Sequence, residues 1–229
     1  MKRLPLLSLA LFLSLAACRS TDEGAAPVEA ENATWIVLFD GTSLDAWRGY
    51  KSDTVPAGWE IRDGALTRVA GGGDLMTRDQ YASFDLRFEW RVSPGANSGV
   101  IWHVSEDKNA SYETGPEYQV LDNATLGESG DLRTAAGSNY ALHAPPSDYT
   151  KAPGEWNEGR IEVDGAHVRH WLNGELVVDY ELWTDEWKAL VKASKFDQMP
   201  DYGLRKRGHI VLQEHGAEVA YRNVRIRVL

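Results

Sequence analysis

The chain has 229 residues, 43% of them hydrophobic and 25% charged, enough for one large globular domain with a sizeable core. It carries 34 acidic residues against 24 lysines and arginines, a net charge of −10. That balance argues against a nucleic-acid partner, because such a partner is held by a basic face that displaces counterions from phosphates.

The N-terminus reads as a targeting segment. Lys2 and Arg3 precede an apolar run from Leu4 to Leu15 that is too short to span a bilayer. The run ends in Leu15-Ala16-Ala17-Cys18, which resembles a bacterial lipobox. The resemblance implies that Cys18 is lipidated and becomes the mature N-terminus. Arg19, standing where an aspartate would signal retention, implies the outer membrane, facing periplasm or exterior. A plain signal peptide with an incidental cysteine is the alternative. Cys18 is the single cysteine of the chain, so no intramolecular disulfide forms. Residues 19–34 are rich in Ala, Glu, Thr and Pro without an apolar period and read as a flexible tether. The folded domain is expected over 35–229. A lipid at one end anchors a soluble domain without making it span the membrane.

From Trp35 the pattern is that of strands. Asp63-Gly64 splits "GWEIRDGALTRV" into a hairpin. "FDLRFEWRV" alternates, with Phe84, Leu86, Phe88, Trp90 and Val92 inward and charged residues outward. "NSGVIWHV" puts Val100, Trp102 and Val104 on one face, Ile101 and His103 on the other. In "GPEYQVLDN", Tyr118 and Val120 oppose Glu117 and Gln119. Asp164-Gly165 and Asn173-Gly174 turn three further strands into a meander. Thr184 caps a predicted short helix near 184–195, in which Trp187, Leu190 and Val191 share a face. "HIVLQEH" sets Ile210, Leu212 and Glu214 against His209, Val211, Gln213 and His215. The last strand slips phase near Arg222-Asn223, the mark of a bulge. Many short antiparallel strands and one helix predict an all-β sandwich of two antiparallel sheets, a jelly roll.

Three of these strands pair an apolar face with a face bearing His, Glu or Gln. If they are neighbours, His103, Glu117, Gln119, Gln213 and His215 merge into one patch. Such a mixed set of nitrogen and oxygen donors is also able to take a divalent metal, although no tight spacing of the H-E-x-x-H kind is present. For each residue there is a plainer role. Glu117 can lie on a solvated face, the glutamines can bond across strands, His215 can serve a turn before Gly216, and Asp122 and Asn123 can form a turn.

Taken in order, "FDGTSLDAW", "NSGVIWHV", "GPEYQVLDN", "HWLNGELVVDYE", "SKFDQMPDYG" and "GHIVLQEHGAEVAYRNVRIR" resemble the 3-keto-disaccharide hydrolase family, formerly the domain of unknown function 1080. The match covers nearly all of the mature chain. It implies a concanavalin A-like jelly roll that cleaves glycosides whose glucose unit has first been oxidised at C3, and hence a functional link to a sugar 3-dehydrogenase. It also brings Asp122, Tyr140 and Lys195 in as substrate-binding candidates. Two departures stand out: His103 occupies a position where members often carry arginine, and "LQEHG" replaces "LQDHG".

A 3-keto group acidifies the C2 proton. A base removes it, the glycosidic oxygen leaves by β-elimination, and water adds to the enone if the net result is hydrolysis. Glu117 and His215 are the candidate bases. Gln119, Gln213 and His103 are the candidate donors to the enolate. A non-catalytic carbohydrate-binding module on the same fold, and direct hydrolysis of unmodified glycosides, are the competing readings.

Overall fold

The computed structural model describes Met1, residues 34–127 and residues 130–229. Lys2, Arg3, the apolar run, Cys18 and the tether up to Ala33 lie outside the described residues. From residue 34 onward the described residues belong to one compact unit.

Among the described residues, thirteen strands form two sheets whose strand pairs are all antiparallel. The smaller runs β2 (Trp47–Gly49), β5 (Leu75–Thr77), β12 (His209–Leu212), β7 (Asn97–Val104), β8 (Glu117–Leu121). The larger runs β11 (Glu175–Glu181), β10 (His167–Leu172), β9 (Asn157–Asp164), β6 (Phe84–Val92), β13 (Val219–Val228), β4 (Ala65–Arg68), β3 (Trp59–Arg62), with β1 (Ile36–Phe39) also on β13. The Asp63-Gly64 and Asn173-Gly174 turns form as the dipeptides require. All four residues take positive φ, the geometry whose twist matches a two-residue hairpin. The β13 bulge lies where the phase slips: register shifts between Arg222 and Arg225, and Asn223 has φ 53°.

The two sheets pack face to face over one apolar core. Trp90, Phe84 and Leu86 of β6 meet Trp102 and Val100 of β7 and Tyr118 and Val120 of β8. Each such side chain, fully removed from water, contributes about 2–3 kcal/mol. Period-two strands therefore leave their alternate residues on the outer faces. On the five-stranded sheet these are Asn97, Gly99 and Ile101 of β7 and Glu117 and Gln119 of β8.

Within the five-stranded sheet strict alternation fails at the end of β7. Ile101 pairs with Val211, yet Val104 pairs with His209, so β7 carries one extra residue there. His103 takes up the extra residue with φ 54°. The faces exchange beyond it. Val104 joins Ile101, Met76 and Val211 in a small apolar cluster on the outer face, and His103 turns into the sandwich.

The helix α1 spans Asp185–Ala193, with Thr184 as its N-cap accepting from the Trp187 N–H at 3.1 Å. Trp187 anchors it to the core. A single 3-10 turn, Lys195–Gln198, follows, capped by Ser194.

Candidate active site

β8 is the edge of the five-stranded sheet, and the loop 134–143 covers that edge with backbone hydrogen bonds. Gly137 N donates to Gln119 O (2.9 Å), Gln119 N to Ser138 O (3.2 Å) and Tyr140 N to Glu117 O (3.0 Å). This pairing removes an unpaired edge and sets Tyr140 beside Glu117. From the other side, β7 and β12 bring Asn97 and Gln213. Gln213 N donates to Gly99 O at 2.9 Å, so the β12 ladder continues up to the residue that lines the site.

The result is a cavity of about 300 Å³ on the outer face of the five-stranded sheet. Glu117 and Gln119 from β8 line it, with Gln213 and His215 after β12, Tyr140 from the covering loop and Lys195 from the 3-10 turn. Asn97, Tyr112 and Phe196 complete the wall.

Glu117 lies at the bottom, 6% exposed. Burial pushes its carboxyl up to about 8, with Lys195 pulling it down and the charge of Asp74 adding to the rise. Roughly nine-tenths of such a group is protonated at pH 7. Lys195 sits at the rim with its ammonium 4.1 Å from the Tyr140 ring centre and 5.2 Å from that of Phe196. Burial of the ammonium lowers its pKa, and Glu117 opposes the fall. Burial, reinforced by Glu117, raises the Tyr140 phenol. Gln119 donates to Thr134 O at 3.2 Å, which leaves its Oε1 buried without a partner among the described residues; Asn97 Oδ1 is in the same state. Two acceptors in the wall of a cavity are suited to the hydroxyls of a sugar.

A second carboxylate, absent from the strand-face reading, supports both rims. Asp74 accepts from Ser111 Oγ at 2.5 Å and from Glu214 N at 2.9 Å. Ser111 precedes Tyr112, and Glu214 precedes His215. Burial raises the Asp74 carboxyl above its ordinary value against those two hydrogen bonds. Glu214 does not enter the cavity. It pairs with Arg68 at 2.5 Å and accepts from Gly216 N, which fixes the loop bearing the exposed His215. The signal for Asp74 in the sequence was weak: one aspartate after a glycine run.

Two predicted site residues lie elsewhere. His103 is 1% exposed inside the sandwich, edge-on to Phe84 and Trp102, its Nε2–H donating to Ala82 O at 2.7 Å. The β7 bulge put it there. Asp122 is a turn former. Its carboxylate accepts from Ala124 N and, at 2.8 Å, from Gly95 N, and it caps the 3-10 turn Asn123–Leu126. His143, in the same covering loop as Tyr140, stacks 4.4 Å from the Tyr180 ring and does not line the cavity.

For a cation the cavity offers one carboxylate, one imidazole and amide oxygens. Among the described residues no group of three or more His, Cys, Asp or Glu side chains comes together. The fit to a divalent metal is poor.

Residues 34–227 match the family described as 3-keto-alpha-glucoside-1,2-lyase-like domain. The chain is 36% identical, over 89% of its length and 80% of the relative, to a 3-keto-disaccharide hydrolase of Bacteroides thetaiotaomicron. A crystal structure of a candidate glycosyl hydrolase from Parabacteroides distasonis superposes with a TM-score of 0.79 at 31% identity, covering 90% of this chain and 98% of that one. A β-glucanase of Bacillus licheniformis, 10% identical, matches with a TM-score of 0.52 over 86% of this chain and 98% of its own; this likeness is one of fold, the jelly roll.

Proposed function

The chain belongs to the 3-keto-alpha-glucoside-1,2-lyase-like family, and from that premise we propose that it is a carbohydrate-active enzyme cleaving the glycosidic bond of 3-keto-glycosides. The observation that supports this most directly is a buried carboxyl with a pKa near 8 facing the one lysine of the cavity wall. An ordinary glycosidase requires two carboxylates flanking the bond. A 3-keto sugar requires one base and one stabilised enolate.

Glu117 is that base. A carboxylate whose pKa lies close to the working pH is strong enough to take a proton from carbon and still returns it. It removes the C2 proton, and the electron pair moves onto the C3 oxygen. Lys195, a cation at the same cavity, stabilises the developing charge, with Gln213 or Tyr140 as hydrogen-bond donor. The enolate collapses, the C1–O bond breaks, and C1=C2 forms. The proton on Glu117 is then available to the departing oxygen. Water adds to C1 where the outcome is hydrolysis; His215, exposed at the rim, is placed to guide that water.

The substrate requires a preceding oxidation of the sugar at C3, so a sugar 3-dehydrogenase is the expected functional partner. The lipobox reading of Cys18 places the reaction in the cell envelope. The test is release of nitrophenol from a nitrophenyl glucoside and from its 3-keto form, each with and without chelator. Release from the keto form alone is expected. Binding without release would leave a carbohydrate-binding module, release from both an ordinary glycosidase, and loss with chelator would put a metal in the mechanism.

A further inference from the structure

On the outer face of the eight-stranded sheet, register sets Arg225 of β13 opposite Arg87 of β6, and Arg87 opposite Arg160 of β9. Like charges directly opposed destabilise a sheet, so this row is held at a cost. Buried Asp85 offsets part of it, accepting from Arg87 at 3.0 Å, Arg160 at 2.9 Å and Arg227 at 3.3 Å. Glu89 is engaged by Arg222, and Glu162 by Arg160 and Arg169. Glu158 is the remaining acid at the row. Arg225 has no carboxylate partner among the described residues and meets only the Trp35 ring, at 5.1 Å. Arg91 likewise meets only Trp156, at 4.8 Å. The β6–β13 pair thus presents Arg87, Arg91, Arg222, Arg225 and Arg227 against two carboxylates, in a chain of net charge −10. The row floors an open groove of about 590 Å³.

The described chain enters the fold on this same face. Trp35 lies among Arg87, Arg225 and Arg227. Ile36 and Val37 follow, 44% and 58% exposed, with Val37 paired to Arg225. Residues 2–33 precede them. The candidate active site is on the outer face of the other sheet, with the core between.

We propose that this arginine face docks on an anionic phospholipid surface. The arginines take the headgroup phosphates, and Trp35, Ile36 and Val37 enter the interfacial layer, where tryptophan and long cationic side chains are favoured. The cavity then opens away from the membrane. The inference goes beyond the glycosidase reading and holds whether or not Cys18 is lipidated.

The protein from Asn32 onward, a compact unit with its own core, carries no lipid and suits the test. It is sedimented with vesicles of phosphatidylcholine and of phosphatidylcholine mixed with phosphatidylglycerol. Binding is expected to the mixed vesicles alone and to weaken with salt. Each unpaired arginine is worth about fivefold, so R91Q/R225Q binds about 25-fold more weakly, with a melting temperature no lower than wild type because one opposed charge is gone; R225K retains binding, and all keep wild-type activity on soluble substrate. Equal binding to neutral vesicles, unchanged binding of the double variant, or capture by polygalacturonate in place of vesicles overturns the proposal.

Discussion

The carboxyl of Glu117 lies directly over the backbone of Gly99: a Cβ built on Gly99 would stand 2.2 Å from Glu117 Oε1 and 2.7 Å from its Cδ. Gly99 is thus the floor on which the proposed base rests, and the missing side chain is what lets the carboxyl lie flat in the cavity.

Gly99→Ala follows from that contact. The clash is with the end of a flexible side chain, so the fold adapts cheaply while the carboxyl is displaced by an ångström or more. Activity on a 3-keto glucoside is expected to fall on the order of 100-fold, with the melting temperature lowered by only a few degrees. Wild-type kcat/KM in the variant would mean that the position of Glu117 is unimportant.

Glu117 also ties activity and stability to pH in opposite directions. Its pKa is raised from 4.5 unfolded to about 8 folded, so between those values the native state binds more protons than the unfolded one. Stability therefore falls as pH rises from about 4.5 through about 8. Glu117→Gln removes this loss. The gap in unfolding free energy between variant and wild type should widen over that window by a few kcal/mol, read from denaturant melts at several pH values. The same variant should lose at least 100-fold in kcat, while wild-type kcat/KM climbs towards pH 8 as the carboxylate forms.

Asp74 and Lys195 act on Glu117 with opposite sign. Asp74→Asn preserves the acceptor for Glu214 N and can donate to Ser111 Oγ, so the walls stay in place; the rising limb of the pH–rate profile should move to lower pH. Lys195→Met should move the limb to higher pH and lower kcat at its plateau about 10- to 100-fold. Asp74→Ala releases both Tyr112 and His215 and should raise KM. Limbs that stay where they are in both variants would remove Glu117 from the profile.

His103 offers the contrasting case. Asparagine tolerates its left-handed backbone. His103→Asn loses the Ala82 bond and the edge contacts to Phe84 and Trp102, which should cost about 1–3 kcal/mol of stability. Turnover and KM should remain within about twofold, because the imidazole faces the core. A large rise in KM with stability intact would return His103 to the substrate.

Most of the architecture was legible because strands announce themselves through local rules. The β6 alternation, the two Asn/Asp-Gly hairpins, the Thr184 cap and the β13 phase slip are each set by a few neighbouring residues, and each formed as read. Glu117, Gln119 and Gln213 were legible for the same reason: a polar residue in a strand whose alternate side chains are core-bound has one place to go. His103 was misread because alternation carries no mark for an extra residue in β7; the pairing with β12 imposes it. For Asp122 the sequence left a turn and a substrate role side by side, because a carboxylate that caps a turn and one that binds a sugar look alike in a linear chain; the structure shows the cap.

By itself, then, the sequence determined the period-two faces, the turns and the set of polar residues on offer, since each depends on contacts within a few residues. The tertiary structure alone decided which of them meet. Lys195 comes from a turn 78 positions after Glu117, Tyr140 from a loop pinned to the β8 edge, and Asp74 from the residue just before β5, beside the two rims it holds. Their convergence also decided the chemistry, because a carboxyl reaches a pKa near 8 through the desolvation and neighbouring charges that only packing supplies.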